Sequence, residues 1–141
     1  MHREAIRYLH NAKELLSKSP IEGRVYTDVK YVKSACGVAY LAILEAVNEA
    51  LLQKGYTKKE LPKKVEEYEK ALKNHISSHN GKLLKEFTML YDTLHVAGYY
   101  RGLIYNVDAV KDYLKAAREF IEKIKDLNKY NGSVIHQTNR P

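Results

Sequence analysis

His75 and His79 stand four residues apart, a separation that turns two imidazoles toward one helical face and suits a pair of metal ligands. The intervening Ile-Ser-Ser lacks the glutamate of a zinc-protease helix, and two histidines are half of a usual ligand set. They are therefore read as boundary histidines, with no metal site and no cofactor. Asp92 and His95, three apart, have the spacing of an oriented acid–base pair facing Tyr99, although an exposed helical hydrogen bond uses the same spacing. The single cysteine, Cys36, sits inside an apolar run, where a small core side chain is expected rather than a reactive thiol. No residue is assigned a catalytic role.

Tyrosine is the richer signal: twelve are present, with two phenylalanines and no tryptophan. A tyrosine buries a large ring yet needs a partner for its hydroxyl, so such a core carries polar groups at its edges. One cluster, Tyr26, Tyr31 and Tyr40, falls around the start of a long helix. Another, Tyr91, Tyr99, Tyr100 and Tyr105, falls on or just past a later one. These rings either line helix seams or stack a base or nucleotide, with Arg101 near enough to meet a phosphate. The candidate ligand-binding set is Tyr26, Asp28 and Tyr31 at one end and His95, Tyr99 and Arg101 on the later helix. There, hydroxyls, charge and flat aromatic area coincide near element ends.

The elements that must position these groups are helices. Residues 35–44, ACGVAYLAIL, carry no charge and are apolar almost all the way round, as a buried central helix requires. Ten residues fall short of the ~20 that span a hydrocarbon core, so no membrane partner is expected. A first helix over Arg3–Ser17 places Ala5, Tyr8, Leu9, Ala12, Leu15 and Leu16 on one face and ends before Pro20. A polar linker over 19–25 leads to Thr27 and Asp28, either of which can cap the second helix, and Gly55 closes it. Thr57 and Glu60 have capping-box spacing, but Pro62 makes a cleaner first helical position for a third helix to about Ser78. That helix carries Val65, Tyr68, Leu72 and Ile76 as its stripe. The fourth spans about 82–104 and the fifth about 106–127, the latter opened by Asn106 and Asp108. Residues 128–141 keep no period and read as a flexible tail. Short connections make an all-α, up-and-down bundle of about five helices in one domain, 1–127, with the second helix central.

The charge balance, 24 Lys+Arg against 17 Asp+Glu, leaves a net +7 and a pI near 9.3. A basic surface favours anionic partners. Positive charge is concentrated only at residues 54–64, KGYTKKELPKK, whereas binders of nucleic acid usually cluster it along one face; nucleic acid is thus the lesser expectation. The amphipathic N-terminus shows no leader, which gives a cytoplasmic location as the default.

The segment YTDVKYVKSACGVAYLAILEA, after the opening AIRYLHNAKELL and the linker EGRVYTD, resembles a family of uncharacterised bacterial five-helix proteins known from structural genomics. The resemblance is carried by Tyr26, Asp28, Tyr31, Ala35, Tyr40, Ala42 and Ala46 and implies a fold without an activity. More distantly the chain is similar in architecture to HEPN helical bundles, some of which cleave RNA with an arginine and a histidine on a late helix. Arg3 and His10 match that Arg-to-His spacing but open the first helix. The expectation is a non-catalytic, HEPN-like binding or assembly module that pairs with itself as a homodimer or meets a protein or nucleotide partner. The alternative is a HEPN-type ribonuclease or nucleotide- or RNA-binding protein of a toxin–antitoxin-like system.

Overall fold

The computed structural model describes residues 3–76 and 81–138, with side chains through Leu127. Helix α1, Arg3–Ser17, buries Ala5, Leu9, Ala12 and Leu16 on the predicted face and stops before Pro20, which cannot donate to the preceding turn. The linker after it is a small antiparallel hairpin, β1 Ile21–Glu22 and β2 Val25–Tyr26, turning at Gly23 with φ +65. Its outer edge is stitched to a distant segment: Tyr26 N–H donates to the Tyr105 carbonyl at 2.9 Å, and Val107 N–H to the Arg24 carbonyl at 2.8 Å. Buried Ser19 secures the exit, its hydroxyl accepting from Asp28 N–H at 3.1 Å.

Of the two candidate caps, Asp28 takes the role: its carboxylate accepts from Lys30 N–H at 3.2 Å and starts α2, Val29–Gln53. The helix ends at Gly55, φ +104, a backbone angle open to glycine. Eleven of its residues are buried, from Val32 to Leu51, and it packs against α1 and against two later helices. By length and composition α2 as a whole is apolar enough to cross a membrane, which the ten-residue uncharged run alone is not. Here 56% of its most apolar window is buried inside the bundle, as expected of a central core helix.

Thr57 and Glu60 do build a capping box, but on a single 3-10 turn, Lys58–Glu60, with Thr57 N–H donating to Glu60 Oε1 at 2.8 Å. Pro62 therefore does not open the third helix. The chain stays extended through Leu61 and Lys64, and α3 starts at Val65. It runs Val65–Ala71 and widens into a π turn, Leu72–Ile76; the predicted end near Ser78 lies outside the described residues. Helix α4, Lys82–Leu90, also widens, becoming a π-helix over Tyr91–Tyr100. It stops short of the predicted 104, because Gly102 turns left-handed at φ +64 while Arg101 N–H closes on the Val96 carbonyl at 2.9 Å. Helix α5, Val107–Thr138, continues through residues 128–138, where the sequence predicts a flexible tail. Extending an existing helix adds one bond per residue fixed, so a region without an apolar period can still propagate it.

All-α architecture is thus correct, its β structure among the described residues being the two-stranded hairpin and a single antiparallel bridge from Val25 to Asn106. The core joins Phe87 of α4 to Phe120 of α5 at 6.2 Å between ring centres and to Tyr68 of α3 at 6.1 Å, while the Tyr68 hydroxyl donates to Asn48 of α2 at 2.9 Å.

Burial pushes the Cys36 thiol up from its ordinary 9.0 to about 11. It also raises Tyr40, with the neighbouring Tyr91 and Tyr68 adding to the effect, and it raises Tyr68 against the opposing bond to Asn48. Each group holds its proton more tightly folded than unfolded, so its contribution is complete below the unfolded value and is lost as pH rises through the folded one. For Cys36 the window runs from 9.0 to about 11. Melting temperature is expected to fall across that window in the parent, and to fall less in Cys36→Ala; equal slopes would contradict the buried thiol.

Candidate functional site

The π segment of α4 presents a column of rings. His95 stacks between Tyr91, at 5.3 Å and 26° between planes, and Tyr99, at 5.8 Å and 19°. Across the seam Tyr40 of α2 lies 4.9 Å from the same imidazole. Wide helical turns recur at functional sites, so this segment is where a site is sought first. Gly37 of α2 makes the close approach possible: a Cβ there would stand 2.7 Å from Tyr99 Cδ1. Beside the column opens a cavity of about 480 Å³, lined in part by Ser34, Gly37, Leu41, Leu44, His95 and Tyr99. Ser34 and Tyr99 also line an adjoining cavity of about 420 Å³ at the start of α2, where Asp28, Lys30 and Lys33 supply charge.

The whole is one face, uncovered along α2. Leu41 is 49% exposed, Tyr99 46% and Val29 41%. Its chemistry is apolar and aromatic at the middle and cationic at one end. The Asp28 carboxylate is engaged as the helix cap, and the Lys30 ammonium lies 4.8 Å from the centre of the Tyr31 ring. Among the described residues no three His, Cys, Asp or Glu side chains converge as a metal ion would require.

Three of the six predicted residues meet on this face: Asp28, His95 and Tyr99. Tyr31 stands beside it, paired with Lys30. Tyr26 does not join them: it is buried and lines a separate groove between α1 and α5. Arg101 is exposed at the end of the π segment, its backbone N–H closing the last turn. Asp92 and His95 lie on different surfaces, the aspartate beside Lys85 and Met89 and the imidazole among the rings. His75 meets Tyr56 edge-on at 5.6 Å, and His79 lies outside the described residues. The sequence marks Gly37 as a point of close helix approach, but sequence reasoning missed Lys30, Lys33, Ser34 and Leu41 beside it. With Gly37 they recur at three- and four-residue intervals along α2, a stripe hidden within a helix read as apolar all round.

Fold and face define a five-helix, all-α bundle with an aromatic groove along its central helix. Residues 1–126 match the family described as a domain of unknown function, DUF5618, and the chain belongs to that family. A solved structure of a protein of unknown function from Dyadobacter fermentans is similar to it, with 31% identity, a TM-score of 0.73, and coverage of 89% of this chain and 94% of that one. No protein of curated function matches.

Proposed function

We propose that this chain is a non-catalytic assembly module, acting in the cytoplasm, that pairs two copies of itself through the open face of α2 and the ring column of α4. The observation that carries this is the exposure of Leu41 and Val29 on a helix otherwise built as the core, with exposed Tyr99 of α4 beside them. Uncovered apolar area on a folded domain is the usual mark of an interaction surface. The charges flanking it are self-complementary: Lys30 and Lys33 precede the uncharged stretch 34–44, and Glu45 follows it. A twofold axis near the middle of that stretch runs the two helices antiparallel, setting Lys33 of each copy against Glu45 of the other. Such an interface uses the same patch twice. Leu41 of each copy then lies close to the Gly37 region of the other, beside Tyr99.

Ribonuclease chemistry draws no support from the cavities that hold histidines. Those lined by His75 and His95 contain no arginine, and Arg3 and His10 sit on the solvent side of α1.

Sedimentation equilibrium tests the proposal. The parent is expected to be dimeric, and Leu41→Glu monomeric with an unchanged helical circular dichroism spectrum. Burying an unpaired carboxylate in the interface should weaken pairing by about a hundredfold or more, roughly 3 kcal/mol. A parent that stays monomeric well above micromolar concentration, or a variant that still pairs, would overturn the reading.

A further inference from the structure

A third cavity, of about 510 Å³, lies between α1, the hairpin and α5 and shares no lining residue with the α2–α4 face. Its floor is apolar and comes from three elements: Leu9 and Leu16 of α1, Tyr26 of β2 and Leu114 of α5, all buried. Its mouth is cationic. Helix α1 contributes Lys13, and α5 contributes Lys111, Lys115 and Arg118, which recur at intervals of three and four so that they share the edge on which Leu114 faces inward. No aspartate or glutamate lines the cavity. Arg118 is partly neutralised, its Nε 3.1 Å from Glu122 Oε1, whereas Lys13, Lys111 and Lys115 have no ion pair among the described residues.

Lysines on the outside of a bundle ordinarily point to water and explain themselves by solubility. These differ in that two separate helices bring them to the rim of one depression whose floor has no charge. The geometry points to a binding site for a single-chain anionic amphiphile, a long-chain carboxylate whose head meets Lys13, Lys111 and Lys115 while its chain lies on the leucines and Tyr26. A bare anion such as phosphate would leave the apolar floor unused. The volume, about 510 Å³, falls within the ~300–1,000 Å³ of small-molecule pockets, which favours a single acyl chain over a macromolecular partner. The site is independent of the pairing proposed for α2.

The test is calorimetric titration of the intact chain with dodecanoate, kept below the concentration at which it forms micelles. One saturable site is expected, weakened by added salt. Three changes separate head from tail recognition without touching the core. Lys111→Gln with Lys115→Gln removes two exposed cations, and Ile21→Asp adds a carboxylate at an exposed lining position, 55% accessible in the parent. Dodecanol, finally, removes the charge from the ligand. Each is expected to weaken binding by about tenfold or more, the scale of a lost charge-assisted hydrogen bond. Circular dichroism of both variants should match the parent. Binding unchanged in the variants, dodecanol bound as tightly as dodecanoate, or an acidic amphipathic peptide bound at this groove in place of dodecanoate would overturn the assignment.

Discussion

Ala39→Glu and Ala42→Lys are each expected to abolish the folded state, while Leu41→Glu, lying between them on the same helix, leaves it intact. Ala39 and Ala42 are fully buried at 0% exposure, in the seams where α2 meets its neighbours. A long charged side chain placed there must push helices apart and also give up its hydration. Overpacking alone costs ~1–3 kcal/mol, and an unpaired buried charge adds several more. Their sum rivals the ~5–15 kcal/mol that holds a whole domain together. Leu41, at 49% exposure, asks for neither sacrifice. Far-ultraviolet circular dichroism with urea titration reads all three. Cooperative unfolding of Ala39→Glu at a urea midpoint close to the parent's would mean that α2 is not central.

Gly98→Ala should destabilise strongly, and Gly37→Ala only weakly, although both glycines face the same seam. A Cβ at position 98 would fall 2.7 Å from Cys36 Sγ and 2.8 Å from its Cβ, with the Thr93 carbonyl at 3.1 Å. Two of those atoms are fixed by backbone, so α2 and α4 have to separate. The expected loss is about 2 kcal/mol, after allowing for the better helix propensity of alanine. At position 37 the obstacle is the Tyr99 ring, half exposed and able to swing outward. That change should cost under ~1 kcal/mol while dispersing the ring column, visible as a shifted His95 resonance. Adding Cys36→Ala to Gly98→Ala should restore part of the loss, since it removes the nearest of the clashing atoms. Additivity of the two changes would show that the strain lies elsewhere.

The centrality of α2 was legible because the uncharged stretch 35–44 leaves no polar face to point at water. Helix α1 was legible to its ends, its stripe and Pro20 agreeing. The hairpin was not: its strands of two residues each are too short to show alternation, and its stabilising bonds reach to Tyr105 and Val107 across most of the chain. The π segments escaped for a different reason. Apolar residues at intervals of three and four look the same whether each N–H reaches back four residues or five, so the spacing carries no signal for the wider turn. Tyrosine content pointed to a cluster of rings, and Asp28, His95 and Tyr99 lie along one face in two adjoining cavities that share Tyr99. Tyr26 and Tyr31 could not be separated from them, because which side of a helix entry a ring takes depends on the hairpin that precedes it.

The order of the chain has a consequence for its birth on the ribosome. Helices α1 and α2 emerge first and can pair at once, as neighbours in sequence. The surfaces of α2 that wait for α4 and α5 then remain bare while the intervening residues are made, and Tyr26 cannot meet Tyr105 until nearly the whole bundle has been synthesised. During that interval the most apolar helix of the protein is held by one partner alone, the situation in which nascent chains cling to one another or to chaperones.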